Sequence, residues 1–135
     1  MPFVLDASIA GCWAFKDEQH PQADEAFTRI RTEEALVPSL WWFEVRNILA
    51  VNERRKRIKE PDTNSFLRNL SRLRIRVDRA PEEAIVLRLA RNHRLSVYDA
   101  SYLELALREA LPIATLDSEL AVAALAEGTK LIGVA

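Results

Sequence analysis

The stretch Leu40-Trp41-Trp42-Phe43-Glu44-Val45-Arg46-Asn47-Ile48-Leu49-Ala50-Val51 has the spacing of an amphipathic helix, with a carboxylate on its apolar side. Glu44 lies in the middle of an apolar stripe and Asn47 lies beside it, at about 100° per residue. The stripe consists of Leu40, Phe43, Ile48 and Val51. Burying an unpaired carboxylate is costly, so we expect Glu44 to be neutralised, paired with a cation or bound to a metal ion.

The composition favours a single domain over residues 1–135. Hydrophobic residues make up 49% of the 135 residues, which is enough for a substantial core. No apolar run approaches the roughly 20 residues of a membrane span, and Asp6 interrupts the apolar start before it could serve as a signal peptide. We therefore expect a cytoplasmic protein without a membrane partner. The single Cys12 excludes a disulfide framework, and no Cys/His spacing predicts a zinc site.

Short apolar runs alternate with helical patterns along the chain. Strands are predicted at 2–5, 34–37, 74–78, 111–116 and 131–134, and the Arg-rich alternation of 74–78 indicates a partly exposed edge. Helices are predicted from about 9, over 22–31, from 40 into a basic cluster, from 61 to about 73, from 81 towards 93, and over 97–110 and 118–126. This order predicts an α/β/α sandwich with a central, mainly parallel sheet.

Acidic residues follow two of the predicted strands. Asp6 and Asp117 each come directly after an apolar strand, and the functional cleft of such a sheet lies outside the carboxyl ends of its strands. Asp99 lies in the first turn of its helix on the apolar side, whereas Glu104 and Arg108 are predicted to face water together with Ser101. The sequence therefore predicts four acids, from four segments, that face one cleft: Asp6, Glu44, Asp99 and Asp117.

Each of these acids also has a structural explanation. Asp6 and Asp117 could cap helices or shape turns, and Asp99 could interact with its helix dipole. Glu44 could pair with a buried arginine, for which Arg46 and Arg108 are distant candidates. Together, however, four carboxylates at one cleft would raise one another's pKa and destabilise the fold. The set therefore predicts a bound cation.

The net charge of −1 conceals a basic middle section. Residues 46–94 contain 14 Lys and Arg against 6 Asp and Glu, a balance of +8, so the rest of the chain carries −9. A solvated helical face and a polyanion-binding surface both explain such a run. Its densest part, which we call the basic arm, consists of Arg54, Arg55, Lys56, Arg57 and Lys59.

Oxygen ligands without Cys or His favour a hard ion, Mg²⁺ or Mn²⁺, over zinc. Mg²⁺ accepts phosphate oxygens beside its protein ligands and lowers the pKa of a bound water. An acidic metal site next to a basic surface therefore predicts phosphodiester hydrolysis without a nucleophilic side chain.

Four motifs occur in order along the whole chain: Val4-Leu5-Asp6-Ala7-Ser8, Glu44-Val45-Arg46-Asn47, Tyr98-Asp99-Ala100-Ser101-Tyr102-Leu103 and Ala114-Thr115-Leu116-Asp117. With these motifs the sequence resembles the PIN-domain nucleases, and most closely the VapC-type toxins of bacterial and archaeal toxin-antitoxin pairs. The resemblance implies a PIN-like fold and a Mg²⁺-dependent endoribonuclease that leaves 5′-phosphate and 3′-hydroxyl ends. It also implies a homodimer and a VapB-type antitoxin whose C-terminal segment lies across the cleft.

The resemblance carries specific roles to residues of this chain. It implies that Asp6, Glu44, Asp99 and Asp117 form the catalytic and metal-binding set, with Asp6 and Asp99 as the most direct ligands. Three further residues match supporting positions: Ser8, Asn47 and Thr115. From the residues alone, Ser8 is also predicted to cap the first helix.

A second apolar strip on the 40–51 helix is predicted to meet a partner, because a helix that is apolar on two faces is buried on two sides. The strip consists of Trp41, Trp42, Val45 and Leu49. A core helix within one domain is the alternative explanation. The basic arm is predicted to contact RNA or the antitoxin.

Two other functions compete with this prediction. A phosphoacceptor signalling domain also gathers acids around Mg²⁺, but it needs an acidic pair at the first strand end and a lysine at the cleft. Here Asp6 stands alone and Lys130 precedes the last predicted strand. A non-catalytic RNA-binding or interaction module would use the basic surface without cleaving RNA.

Overall fold

The computed structural model describes residues 1–134, in which helices flank a four-stranded parallel sheet. The strands are β1 (Phe3–Leu5), β2 (Ala35–Val37), β3 (Ile75–Val77) and β4 (Ile113–Ala114). The helices are α1 (Ala7–Cys12), α2 (Pro21–Arg29), α3 (Leu40–Arg54), α4 (Glu60–Leu70), α5 (Glu83–His93), α6 (Val97–Glu109) and α7 (Ser118–Ala126). The predicted α/β/α architecture is confirmed. None of these helices is both long and apolar enough to cross a membrane.

The order of the strands across the sheet is β3-β2-β1-β4. Val4 of β1 pairs with Leu36 of β2 on one side and with Ile113 of β4 on the other. The strand that follows β1 in the chain, β2, lies on one side of β1. The segment that follows β4 lies on the other side, beyond β4, where Leu131 forms a parallel bridge with Ile113. The connections thus diverge between β1 and β4, and such a switch point opens a crevice at the carboxyl ends of the strands.

Burial differs between the centre and the edges of the sheet. The three residues of β1 are fully buried, as expected of a central parallel strand. At the edge, Val77 of β3 is 51% exposed, which agrees with the exposure predicted for 74–78. The strand predicted at 131–134 is wrong beyond its first residue: only Leu131 bridges the sheet. Gly133 turns the chain with φ +75°, which ends the extended run.

α3 is buried on a different side from the one predicted. Trp41, Val45 and Leu49 are at most 5% exposed within the chain's own core, whereas Trp42 and Phe43 are 49% and 69% exposed. The predicted interface strip of Trp41, Trp42, Val45 and Leu49 is therefore wrong except at Trp42, because a side chain without exposed area has none left to bury in a partner. Both stripes are apolar, so helical spacing alone did not decide which one meets the sheet.

α6 is surrounded by other elements, packing against β1, α5 and α7. Ser101 and Glu104 are 6% and 1% exposed, which corrects the prediction that they face water. The buried Glu104 carboxylate accepts a hydrogen bond of 2.8 Å from Arg108, which also pairs with Asp78. Arg108 thus neutralises Glu104 and is not the partner of Glu44.

α1 and α3 approach closely at Gly11. A Cβ atom at this position would lie 2.9 Å from Cδ1 of Ile48, so only glycine allows the contact without displacement of Ile48. This approach places the junction of β1 and α1 beside the face of α3 that carries Glu44.

Candidate metal centre

A cleft of about 350 Å³ opens at the carboxyl ends of β1 and β4, and all four predicted acids line it. They come from the end of β1, from α3, from α6 and from the loop after β4: Asp6, Glu44, Asp99 and Asp117, respectively. Ser8 and Asn47 also lie on its wall. Four segments that are far apart in the sequence thus meet at the switch point of the sheet.

Asp6 is the most deeply buried of the four acids, with 6% of its surface exposed. Its Oδ2 atom accepts hydrogen bonds from the hydroxyls of Thr115 at 2.6 Å and Ser8 at 2.7 Å. Burial raises the pKa of Asp6, and these hydrogen bonds oppose that rise. α1 begins at Ala7, directly after Asp6, so the prediction that Ser8 caps this helix is wrong: its hydroxyl is engaged with the carboxylate.

The same two hydroxyls bind the loop that follows β4. Ser8 Oγ accepts from the backbone N–H of Leu116, and Thr115 Oγ1 accepts from that of Asp117, both at 3.0 Å. Asp117 Oδ1 in turn accepts from the N–H of Leu120 at 2.9 Å and caps α7. Asp117 is therefore both a helix cap and part of the cleft wall, which combines two explanations that the sequence left as alternatives.

Glu44 is held by a tyrosine from α6. The hydroxyl of Tyr102, a fully buried residue, donates to Glu44 Oε1 at 2.5 Å. Burial raises the pKa of Glu44, the Tyr102 hydrogen bond opposes the rise, and the charges of Asp6 and Asp99 add to it. Arg46 does not pair with Glu44: its guanidinium lies 4.3 Å from the centroid of the Trp42 ring.

Asp99 lies at the N-terminal end of α6 and is partly exposed to the cleft. Its pKa is raised to about 6, first by burial and then by the charges of Asp117 and Asp6. Its backbone N–H donates to Ser96, the residue that caps α6. Within residues 1–134, no ion pair joins any of the four acids to a Lys, Arg or His side chain. The cleft therefore gathers acids that the surrounding chain does not neutralise.

The sequence matches the family model of the PIN domain over residues 3–126. The chain belongs to the PIN-domain family. PIN domains are typically metal-dependent nucleases, which are hydrolases. No curated protein matches the sequence significantly.

Solved structures show the same fold as this PIN domain. The crystal structure of PAE2754 from Pyrobaculum aerophilum is 24% identical with a TM-score of 0.72, over 91% of this chain and 84% of that one. The crystal structure of FitAcB from Neisseria gonorrhoeae is 17% identical with a TM-score of 0.66, over 98% and 96% of the two chains. At these identities the likeness concerns the fold alone.

The acidic cleft of this PIN domain fits a divalent cation, the kind of cofactor that PIN nucleases usually use. Its donors are carboxylate oxygens, and burial together with mutual repulsion raises the pKa of Asp6, Glu44 and Asp99. No three of the four acids have oxygens within 4.8 Å of one another in the part of the chain that is described. Mg²⁺ is usually bound directly by one or two carboxylates and keeps several waters, so its binding does not require three of these acids within that distance.

The basic arm of the PIN domain divides into two parts. Arg57 binds Glu18 at 3.1 Å and Asp17 at 3.4 Å, and its guanidinium lies 4.6 Å from the centroid of the Phe15 ring. Arg57 therefore anchors the arm to the loop between α1 and α2, a role that its sequence did not predict. The other four residues of the arm are exposed: Arg54, Arg55, Lys56 and Lys59.

Tyr102 is the residue of the site that sequence reasoning missed. It belongs to the motif around Asp99, but its apolar ring and its position on a core helix gave it no role beyond packing. A signal was available, because Tyr102 lies three residues after Asp99 and residues at that spacing share a helix face. Nothing in the sequence indicated that this helix face contacts Glu44, which lies 58 residues earlier in the chain.

Proposed function

We propose that this PIN domain is a Mg²⁺-dependent endoribonuclease, active also with Mn²⁺, which hydrolyses phosphodiester bonds to leave 5′-phosphate and 3′-hydroxyl ends. The observation that carries the proposal is the convergence of four carboxylates on one cleft, without a paired cation among the described residues. The domain proposed for this activity spans residues 1–135.

The four acids are proposed as the metal-binding and catalytic residues, with Asp6 and Asp99 as the most direct ligands. Mg²⁺ bound there would supply an activated water and offset charge on the phosphate. The chain's own contribution is to orient the carboxylates. Ser8 and Thr115 hold one oxygen of Asp6, and Tyr102 holds one oxygen of Glu44.

The basic arm supports RNA as the substrate. Ten residues of helix separate Glu44 from Arg54, which corresponds to about 15 Å along the axis of α3. Exposed cations at that distance from the cleft are placed to contact phosphates a few nucleotides from a scissile bond, and phosphate contacts supply a large share of the affinity for nucleic acid.

The test is incubation of the purified protein with total RNA, with Mg²⁺ or with EDTA, followed by mapping of the 5′ ends. We expect cleavage with Mg²⁺ alone, with 5′-phosphate ends, and its loss in Asp6→Asn and Asp99→Asn. Asp62→Asn, at an exposed acid of α4 outside the cleft, is the matched control and should remain active. Metal-independent cleavage or 2′,3′-cyclic phosphate ends would contradict the mechanism.

We further propose that the protein is the toxin of a type II toxin-antitoxin pair, a homodimer inhibited by a VapB-type antitoxin. The family resemblance supports this role, and so do the exposed rings of Trp42 and Phe43, which stack edge to face at 5.0 Å on α3. Exposed aromatic side chains are enriched where proteins meet. Growth arrest on expression, relieved by a co-expressed antitoxin, tests the role, and sedimentation of Trp42→Ala tests the interface.

The competing functions have less support. A phosphoacceptor domain needs a lysine at its cleft, and no lysine lines this one within the described chain. A non-catalytic RNA-binding module would bind RNA equally well in the wild type and in Asp99→Asn, and neither protein would cleave it.

A further inference from the structure

A second group of metal-binding side chains lies outside the acidic cleft, where α1 turns towards α2. The Sγ atom of Cys12, a carboxylate oxygen of Glu18 and a ring nitrogen of His20 all lie within 4.8 Å of one another. Cys12 is the last residue of α1, and His20 directly precedes α2. The spacing of these residues predicted no zinc site, but the turn between the helices brings their donor atoms together.

The donors of this group differ from those of the acidic cleft. A thiolate, an imidazole and a carboxylate are ligands that Zn²⁺ prefers, whereas Mg²⁺ prefers oxygen alone. Zn²⁺ commonly takes three protein ligands and leaves its fourth position to water. An open cleft of about 540 Å³ is lined by Cys12 and Glu18 and gives access to these two ligands, and His20 is exposed to solvent.

From this donor set and its geometry we propose that Cys12, Glu18 and His20 bind Zn²⁺, with water in the fourth position. The site would join the end of α1 to the start of α2. It is independent of the proposed nuclease activity, because the residues lining the two clefts do not overlap.

Two features of the metal-free structure set the conditions for binding. Burial and the charges of Glu18 and Asp24 raise the pKa of the Cys12 thiol, which donates to the backbone carbonyl of Glu18 at 3.6 Å. Zn²⁺ would displace that proton, so binding should release a proton and strengthen as the pH rises. Arg57 binds Oε2 of Glu18 and competes for the carboxylate, so removal of its charge should strengthen binding.

Titration of the full-length protein with Co²⁺, a spectroscopic substitute for Zn²⁺, tests the site. A thiolate ligand gives a near-ultraviolet charge-transfer band that oxygen ligands in the acidic cleft do not give. We expect the band at one equivalent of Co²⁺, its loss on addition of Zn²⁺, and its absence in Cys12→Ser. His20→Ala should weaken binding by at least the roughly 10- to 100-fold that loss of a supporting group costs. Since His20 is exposed, this variant should fold normally.

Two variants serve as controls. Asp6→Asn removes a residue of the acidic cleft and should leave the band unchanged, while Arg57→Ala should shift the titration to lower Co²⁺ concentration. Absence of the band in the folded wild-type protein would overturn the proposal. If His20→Ala and Glu18→Gln both keep the band and bind Co²⁺ with the affinity of the wild type, the proposal is also overturned, because the cysteine would then bind the metal without the other two ligands.

Discussion

The hydroxyl of Tyr102 donates a hydrogen bond of 2.5 Å to Oε1 of Glu44 and so joins α6 to α3 across the edge of the acidic cleft. Tyr102 is fully buried, and Glu44 is the acid that interrupts the apolar pattern of α3. This bond orients the carboxylate, but a tyrosine hydroxyl brings no positive charge to it. Under the proposed function, a bound metal ion would supply that charge.

Tyr102→Phe should weaken metal binding while preserving the packing of α6. A hydrogen bond to a charged group contributes about 1.5 to 3 kcal/mol, and loss of a group that orients a metal ligand costs roughly 10- to 100-fold in affinity or activity. Activity measured against Mg²⁺ concentration reports the change in metal binding, and urea unfolding in EDTA reports the change in stability of the metal-free protein. Tyr98→Phe, at an exposed tyrosine of the same helix, should leave both unchanged. An unaltered Mg²⁺ dependence in Tyr102→Phe would show that the bond serves the fold alone.

Glu44→Gln should reduce Mg²⁺ affinity and activity while the metal-free protein stays as stable as the wild type or becomes more stable. Burial and the charges of Asp6 and Asp99 disfavour the ionised Glu44, so its replacement removes a repulsion. The glutamine oxygen can still accept from Tyr102. Urea unfolding in EDTA and calorimetric Mg²⁺ titration measure the two quantities. A large loss of stability in EDTA would mean that Glu44 is a structural residue.

The stability of the metal-free protein should fall as the pH rises from about 4 to about 7. The pKa of Asp99 rises from 3.8 to about 6 on folding, and those of Asp6 and Glu44 are also raised. The folded state therefore binds more protons than the unfolded state in this window, so the stabilisation present at low pH is lost as these groups ionise. Urea unfolding in EDTA across this range measures the slope, and Asp99→Asn should make it shallower. An equal slope in both proteins would contradict the assignment to Asp99.

Mg²⁺ affinity should change with pH in the opposite direction. The ion binds the ionised carboxylates, so its affinity should increase as the pH passes about 6, and binding should release protons. Calorimetric titration in two buffers of different ionisation enthalpy counts those protons. A heat of binding independent of the buffer would show that the acids are already ionised in the metal-free protein.

The double variant Arg54→Ala/Arg55→Ala should bind RNA more weakly at all sequences and leave the fold intact, because both residues are exposed. The slope of log affinity against log salt is negative, and for every phosphate that the variant no longer binds its magnitude should fall by about 0.7 for a single strand. Binding measured in the inactive Asp6→Asn background, at several salt concentrations, gives this slope. Arg57→Ala is the informative comparison, since it releases the arm from Glu18 and Asp17. An unchanged slope in the double variant would exclude these two residues from the RNA surface.

Ala110→Gly should stabilise the protein by about 1 kcal/mol, because the left-handed conformation costs other residues roughly 1–2 kcal/mol and glycine's extra chain entropy offsets part of that gain. Ala110 has φ +54° at the C-terminal end of α6, where the Leu111 N–H binds the carbonyl of Ala106 at 2.9 Å. Urea unfolding measures the change. Ala121→Gly, inside α7, should instead destabilise by about 1 kcal/mol. Equal destabilisation by both changes would contradict the conformational explanation.

Local patterns were sufficient for the strands and helices that carry the acids. Asp6 and Asp117 were predicted at strand ends because a buried strand is a short apolar run, whatever its neighbours are. Two predictions failed for a different reason: which side of α3 is buried, and which residues of α6 are exposed. Whether Val45 or Phe43 meets the sheet, and whether Glu104 meets water, depends on which elements pack against each helix. That information lies in contacts between distant parts of the chain.

The sequence by itself determined the order of the elements, the parallel α/β class and the prediction that four acids face one cleft. These follow from periodicity and from the cost of a buried charge, which can be judged from short stretches of sequence. Only the tertiary structure decided how the acids are held. Ser8, Thr115 and Tyr102 reach their carboxylates across sequence separations of 2, 109 and 58 residues. The tertiary structure alone also placed Cys12, Glu18 and His20 together and assigned Arg57 to the fold. The bonds of Thr115 and Tyr102 depend on distances between remote segments, which exist only after the sheet order β3-β2-β1-β4 has brought them together. The Ser8 bond and the group of Cys12, Glu18 and His20 depend on the turns that precede and follow α1.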